Sequence, residues 1–133
     1  MDGNTRDNAD SNRQSQQLFL NINQADAAYQ AGRWKDASGH YRAVLELMPH
    51  DPYAWFRLGN SLTRQGEYSH AIQAFEASLQ HDARQTKPWF NLSTAHLLGA
   101  QLATLRAWEV MAQDDPSRQS IQLRLDALTQ LLQ

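Results

Sequence analysis

Five histidines are the side chains best suited to acid–base chemistry or metal binding in this chain. No two of them stand three or four residues apart, the spacing that places two ligands on one helix face: His40, His50, His70, His81 and His96. The chain has no cysteine, so thiolate metal sites, disulfides and a cysteine nucleophile are ruled out. We predict no metal site, and we interpret His96 as an interhelical histidine with satisfied hydrogen bonds.

A pair of adjacent carboxylates is the other candidate for chemistry. Asp114 and Asp115 precede Pro116, and an aspartate before a proline is typical of a helix N-terminus, so capping accounts for the pair. The glycines follow apolar stretches as helix caps do and form no phosphate-binding loop. No nucleophile stands in a pattern with a base. The sequence therefore predicts a protein that is not an enzyme and needs no cofactor.

Composition narrows the class of partner. The chain has 133 residues, a net charge of −2 and 41% hydrophobic residues, which fits one soluble domain. It lacks the basic patch that nucleic-acid binding requires, so no nucleic-acid partner is predicted. No stretch approaches the roughly 18 apolar residues of a membrane span, so no membrane insertion is predicted.

The N-terminal segment is polar, and its only apolar residues are Met1 and Ala9. This composition predicts a disordered tail over residues 1–17, because too little apolar surface is present to offset the entropy of ordering. The segment also lacks the apolar core of a secretory signal. We expect a cytoplasmic protein, with a periplasmic location left open if the sequence is part of a longer chain.

An internal repeat indicates which helices would position any functional site. The segment from Ala31 to Ala37 returns further along the chain as the segment from Gln65 to Ala71. Flanking aromatic residues return at the same spacing: Tyr41 as Phe75, Trp55 as Trp89 and Phe56 as Phe90. A period of about 34 residues is typical of stacked helical repeats, which bury a shared core and leave an extended binding surface.

Helical periodicity runs from Leu18 to the C-terminus. Gly32, Gly66 and Gly99 each separate two apolar-periodic stretches, where a left-handed C-cap is expected. Asp51 before Pro52 is a predicted N-cap. The pattern predicts seven helices and no strand: 18–31, 34–47, 52–65, 68–81, 86–98, 101–113 and 117–132. The first six would form three antiparallel pairs.

These residues resemble the tetratricopeptide repeat. The second unit carries nearly the whole pattern, with Trp55, Leu58 and Gly59 in its first helix and Ala71 and Phe75 in its second. The resemblance implies an all-α fold, a right-handed α-solenoid of three antiparallel helix pairs with a capping helix. The implied repeats cover residues 18–51, 52–85 and 86–116 within a domain over 18–133, and the capping helix covers 117–132.

The third unit departs from the pattern at its turn. Ser93 stands where the second unit has Gly59, and Gly99 arrives one residue early, which indicates a one-residue deletion. Trp108 then stays in step with Phe75. In the last helix, Leu123 and Leu131 lie off the apolar stripe of Ile121, Leu125, Leu128 and Leu132, so a second apolar patch is predicted there.

In this family the first helix of each pair lines a concave groove, and the resemblance implies which residues would line it here. The candidate partner-binding residues are Phe19, Ile22, Tyr29, Tyr53, Phe56, Asn60, Arg64, Lys87, Phe90 and Thr94, with Asp26, Gln30, Thr63 and Leu97 at neighbouring positions. The set is rich in aromatic residues, which often dominate binding energy. Tyr53, Phe56 and Phe90 are predicted to take apolar side chains of a partner, and Asn60 and Arg64 its backbone or an acidic group.

One subgroup of the family holds the C-terminal carboxylate of heat-shock chaperones with lysine, asparagine and arginine. Lys87 fits that pattern, whereas Ile22, Asp26, Arg57 and Asn91 do not, and Asp26 would repel a carboxylate. The sequence therefore favours a different ligand.

The predicted function is a protein–protein adaptor or chaperone that binds an apolar peptide or helix of another protein. The chain also resembles small bacterial secretion chaperones in size and in its three repeats. Two alternatives stay open: a scaffold that self-associates, so that a homo-oligomer is possible, and a co-chaperone with a carboxylate clamp.

Overall fold

The computed structural model describes residues 2–133, which contain six helices and no strand. The helices are α1 (Asp2–Gln30), α2 (Trp34–Leu47), α3 (Pro52–Arg64), α4 (Tyr68–His81), α5 (Thr86–Val110) and α6 (Arg118–Leu131). Each helix packs against the next along the chain, and α3 also contacts α5. The all-α solenoid predicted from the repeat is confirmed. No helix within residues 2–133 has the length and apolar character that crossing a membrane requires.

The two strict repeat turns form as predicted. Gly32 and Gly66 adopt left-handed backbone conformations, with φ of 72° and 77°. After each glycine the next amide bonds back to a carbonyl of the preceding helix, at 2.9 Å in both turns. Asp51 caps α3 by accepting a hydrogen bond from the Tyr53 amide at 3.2 Å. These glycines carry the turns because other residues are strained at positive φ.

The core lies between paired helices and contains one buried aromatic ring from each of the first two repeats, set among alanines and leucines. Tyr41 and Phe75 are fully buried, as are Ala37 and Ala71. Gly59 lies directly under the Phe75 ring, since a Cβ added at Gly59 would stand 2.5 Å from Phe75 Cε1. Small residues thus let the helices of a pair approach closely.

The first helix differs from the prediction. Residues 2–17 are helical and continue α1 without a break, where the composition predicted a disordered tail. All side chains from Gly3 to Gln17 are exposed. The helix continues because no proline or glycine interrupts residues 4–17, and extending a formed helix costs far less than starting one. Met1 lies outside the described residues.

The third pair also differs from the prediction. The predicted helices 86–98 and 101–113 form one unbroken helix, α5, so the described part of the chain has six helices where seven were predicted. Gly99 does not adopt the left-handed conformation of the other two turn glycines. The turn is one residue short, and Leu97, Leu98 and Ala100 around it are good helix formers, so the helix continues through it.

Candidate functional site

Two adjoining open pockets lie on the face formed by α1, α3 and α5. The first, of about 480 Å³, is lined by Tyr29, Tyr53, Phe56, Arg57, Asn60, Gln85 and Lys87. The second, of about 340 Å³, is lined by Tyr29, Trp34, Asn60, Thr63, Arg64, Asn91, Thr94 and Leu98. Tyr29 and Asn60 belong to both pockets and form the boundary between them.

A hydrogen-bonded ladder crosses this boundary. The Asn60 Nδ2 donates to the Tyr29 hydroxyl at 3.0 Å, and the Asn91 Nδ2 donates to Asn60 Oδ1 at 2.7 Å. The three residues come from α1, α3 and α5 and are 31 residues apart in sequence. The ladder fixes the amide of Asn60 in one orientation, and it leaves the Asn91 carbonyl oxygen available to a ligand.

Arg57 occupies the centre of the first pocket. Its guanidinium lies over the Tyr29 ring at 4.0 Å and over the Tyr53 ring at 5.0 Å. Arginine stacked on aromatic rings is held in place while its N–H edge stays free to bind a carboxylate. In the second pocket Arg64 lies 5.0 Å from the Trp34 ring centre in the same way.

Asp26 interacts with Tyr53 of the first pocket and with the core residue Tyr41. The Tyr41 hydroxyl donates to Asp26 Oδ1 at 2.5 Å. Burial raises the pKa of the Tyr41 phenol, and the bond to Asp26 raises it further. Burial also raises the pKa of Tyr53; Arg57 opposes the rise and Asp26 adds to it. Asp26 is thus engaged by a core hydroxyl at a place where a carboxylate clamp needs a neutral or cationic residue.

Seven of the ten predicted groove residues line these pockets: Tyr29, Tyr53, Phe56, Asn60, Arg64, Lys87 and Thr94. Phe56 is only partly accessible, because its ring packs 6.1 Å from the Phe75 ring at the edge of the core. Ile22 packs against the core. Phe19 and Phe90 line neither pocket, although they are 66% and 71% exposed.

Several pocket residues were not among the predicted set: Trp34, Arg57, Gln85, Asn91 and Leu98. Two of them carried a signal in the sequence. Asn91 stands one 34-residue repeat after Arg57, and Arg57 follows Tyr53 by one helical turn. The second pocket uses Trp34 because α2 starts beside the groove, which periodicity within the first helices does not reveal.

His96 is not where the sequence analysis placed it. His96 is exposed rather than packed between helices, because α5 does not turn back over it. His50 and His81 lie with their ring centres 4.9 Å apart, a pairing that sequence spacing did not predict. Over residues 2–133, no group of three histidine, cysteine or acidic side chains is arranged to hold a metal ion.

Comparison with known proteins identifies the repeat. A model of the tetratricopeptide repeat family matches residues 22–88. The Hsp70-Hsp90 organizing protein of Triticum aestivum is 28% identical to this chain over 101 residues, which are 75% of this chain and 17% of that protein. The chain therefore spans less than a fifth of the length of this curated relative.

Solved structures share the architecture at low sequence identity. The Yersinia enterocolitica type III secretion translocator chaperone SycD, in an alternative dimer, has a TM-score of 0.60 and 21% identity, covering 87% of this chain and 94% of that one. The TPR2B domain of yeast Sti1 in complex with pHsp70 has a TM-score of 0.59 and 13% identity, covering 87% and 98%. The first TPR of Spaghetti (RPAP3), bound to the HSP90 peptide SRMEEVD, has a TM-score of 0.57 and 16% identity, covering 89% and 97%. At these identities the likeness shows the fold alone.

Proposed function

Because the chain belongs to the tetratricopeptide repeat family, we propose that it is a protein–protein adaptor that binds a segment of a partner protein across the two pockets. The observation that carries the proposal is the pairing of aromatic walls with stacked arginines, Tyr29 and Tyr53 around Arg57 and Trp34 beside Arg64. Aromatic walls favour an apolar side chain, and the guanidinium edges favour a carboxylate. The partner segment therefore combines apolar and acidic side chains.

Charge supports this choice of ligand. The chain as a whole carries −2, yet the first pocket contains Arg57 and Lys87 and the second contains Arg64. Local positive charge on a mildly acidic protein attracts acidic segments and repels basic ones. The ladder of Asn60 and Asn91 offers amide groups between the pockets for the backbone of the bound segment.

A peptide-selection experiment tests the proposal. Random peptides displayed on phage would be selected on the full chain, synthesised with a fluorescent label and titrated by polarisation. Arg57→Gln and Tyr53→Ala are expected to weaken binding about tenfold or more, as loss of a charge-assisted hydrogen bond or an aromatic anchor does. Arg42→Gln is the matched control, since Arg42 is an exposed arginine on α2 that lines neither pocket.

Charge reversal separates recognition from general damage to the fold. The Arg57→Glu variant should not bind a selected acidic peptide. It should bind the same peptide once the glutamate of that peptide is changed to lysine. Selected peptides that bind both pocket variants and the Arg42 control with equal affinity would exclude the groove as the site.

Blocking the C-terminal carboxylate of the peptide distinguishes our proposal from the carboxylate-clamp alternative. In our proposal, amidation of the C-terminus leaves binding of a selected peptide unchanged, because the acidic side chain is what Arg57 holds. A clamp would lose most of its affinity on amidation. The peptide SRMEEVD, held by the RPAP3 domain, serves as the probe for a clamp.

A cytoplasmic chaperone for a secreted or assembled subunit is the narrower form of the proposal. It is supported by the fold shared with SycD, which covers 94% of that chain. Co-expression with a candidate subunit encoded nearby tests it: the subunit should stay soluble with the wild-type chain and precipitate with Arg57→Glu.

A further inference from the structure

The first half of α5 lacks the covering helix that the earlier repeats have. In the second unit α4 closes over α3, so that Phe75 lies on Gly59 and is 0% exposed. The counterparts in the third unit are Ser93, which is exposed, and Trp108, which is only partly buried. Because α5 is one unbroken helix, Trp108 stands about 22 Å further along it than Ser93. The third unit therefore does not close on itself.

The absence of a covering helix is visible when equivalent tryptophans of the second and third repeats are compared. Trp55 and Trp89 both donate their indole N–H to a carbonyl six residues earlier, at 2.8 and 2.9 Å. Trp55 packs against the core, whereas Trp89 is 53% exposed. We call the surface around Trp89 and Ser93 the acceptor face.

The helical segment that corresponds to α4 in the third unit is the second half of α5, and it extends away from the acceptor face. Residues 100–131, the C-terminal hairpin, comprise the second half of α5 and the returning α6, which are linked where Gln101 bonds Thr129 at 3.3 Å. Leu105 is 42% exposed, although its counterpart Ile72 in the second unit packs against the core. We call the surface of Leu105 and Trp108 the donor face, since Ile72 and Phe75 lie at these positions in the second unit.

The connection between the two faces is too short for the turn. The spacing from Gly66 to Gly99 is one residue shorter than the spacing from Gly32 to Gly66. Gly99 is helical where the other two glycines form turns. Shortened hinges favour the exchange of identical elements between copies of a chain, because a helix that cannot turn back reaches the same site on a neighbour.

We propose that two copies of this chain exchange C-terminal hairpins. The donor face of each copy packs on the acceptor face of the other, the two α5 helices cross near Gly99, and each third repeat is completed by its partner. Two-fold symmetry forms this contact twice. Lys87, Asn91 and Thr94 lie on the opposite face of α5 from Trp89 and Ser93, so the exchange leaves both pockets open.

The chain exposes more surface than a compact globular chain of its mass. The accessible surface is 9186 Å², about 2,000 Å² more than the roughly 7,100 Å² expected for a globular chain of 15.2 kDa. The exposed helix over residues 3–17 and the C-terminal hairpin both contribute to this excess. Stable dimers bury about 1,200–2,000 Å² in total.

Changes at the hinge test the exchange by molar mass. Sedimentation equilibrium of the full chain is expected to show a monomer–dimer equilibrium. Inserting one glutamine between Leu98 and Gly99 restores the spacing of the earlier turns and should give a monomer at concentrations where the wild-type chain is a dimer. Gly99→Ala should keep the dimer, because alanine favours the helical conformation at position 99 and a Cβ there meets Tyr68 Cβ at an ordinary 3.7 Å.

A disulfide test identifies which faces meet and does not depend on the insertion variant folding. The chain has no cysteine, so a mixture of Ser93→Cys copies and Trp108→Cys copies should form one cross-linked heterodimer under mild oxidation. Gly59 and Phe75 are in direct contact in the second unit, so positions 93 and 108 should come close together where a donor face packs on an acceptor face. Mixing Gly39→Cys with Trp108→Cys is the control and should give no specific cross-link, since Gly39 lies on α2.

Three results would overturn the proposal. The first is a monomer at every concentration. The second is a dimer that persists in the insertion variant and gives no cross-link between positions 93 and 108. The third is a cross-link within single chains when one copy carries both cysteines at high dilution, which would show that the third repeat closes on itself.

Discussion

A side chain at position 59 would occupy the space that the Phe75 ring fills. The added Cβ of an alanine would stand 2.5 Å from Phe75 Cε1 and 2.6 Å from Cδ1. Gly59→Ala is therefore expected to lower the free energy of unfolding by about 1–3 kcal/mol, the usual cost of overpacking. Urea unfolding at fixed protein concentration measures it.

Gly39→Ala is the matched control for that change. Gly39 is also inside a helix, α2, and nothing lies within 4 Å of a Cβ placed there. The substitution should raise stability by about 0.5–1 kcal/mol through helix propensity alone. Equal shifts for both glycines would show that Phe75 does not need the space above Gly59.

The hydroxyl of Tyr41 makes stability depend on pH at the alkaline end. Burial, followed by the hydrogen bond to Asp26, raises the pKa of Tyr41 above its ordinary value of 10.0. A raised pKa in the folded state means that the neutral phenol contributes stability in full below pH 10 and loses it as the pH rises above 10. Asp26 accepts the bond at 2.5 Å.

Tyr41→Phe isolates this contribution. At pH 7 the variant should be less stable by about 0.5–1.5 kcal/mol, the net value of one hydrogen bond. Between pH 9 and about 11 the wild type should lose stability faster than the variant, since phenylalanine has no proton to release. Parallel unfolding free energies across that range would contradict the assignment.

At the scale of elements, the first helix has two parts with different roles. Leu18 and Ile22 pack against the core, whereas every side chain from Gly3 to Gln17 is exposed. Deleting residues 2–16 should therefore change the free energy of unfolding by less than about 0.5 kcal/mol while lowering the helical circular dichroism signal. Extending the deletion to residue 20 removes Leu18 and should destabilise the chain clearly. A large loss from the shorter deletion would show that the exposed part supports the fold.

Sequence patterns predicted most helices correctly. They failed where local conditions decide whether a helix ends or continues. Gly32 and Gly66 predict turns correctly because the spacing on both sides leaves room for a left-handed residue. Gly99 carries the same signal, but the missing residue beside it removes the room, and the helix continues. The exposed start of α1 is helical for a related reason: extending an existing helix needs no buried side chain.

At the scale of the whole molecule, the repeat predicts which face of the solenoid carries the pockets but not how they are built. Tyr53, Asn60 and Lys87 follow from their positions on first helices. The stacking of Arg57 on rings from two different helices depends on how neighbouring repeats are offset, which one helix's periodicity does not contain. Phe19 and Phe90 show the same limit, since they lie on the expected helices but outside both pockets.

The exposed part of α1 has a further consequence for how the protein moves in solution. Residues 2–16 form a rod of about 22 Å that adds much to the Stokes radius and little to the mass. A single copy should therefore diffuse more slowly than a sphere of 15.2 kDa and leave a sizing column early. Elution volume alone would then suggest an assembled species whether or not one forms. Scattering mass together with the diffusion coefficient of the chain lacking residues 2–16 separates shape from association.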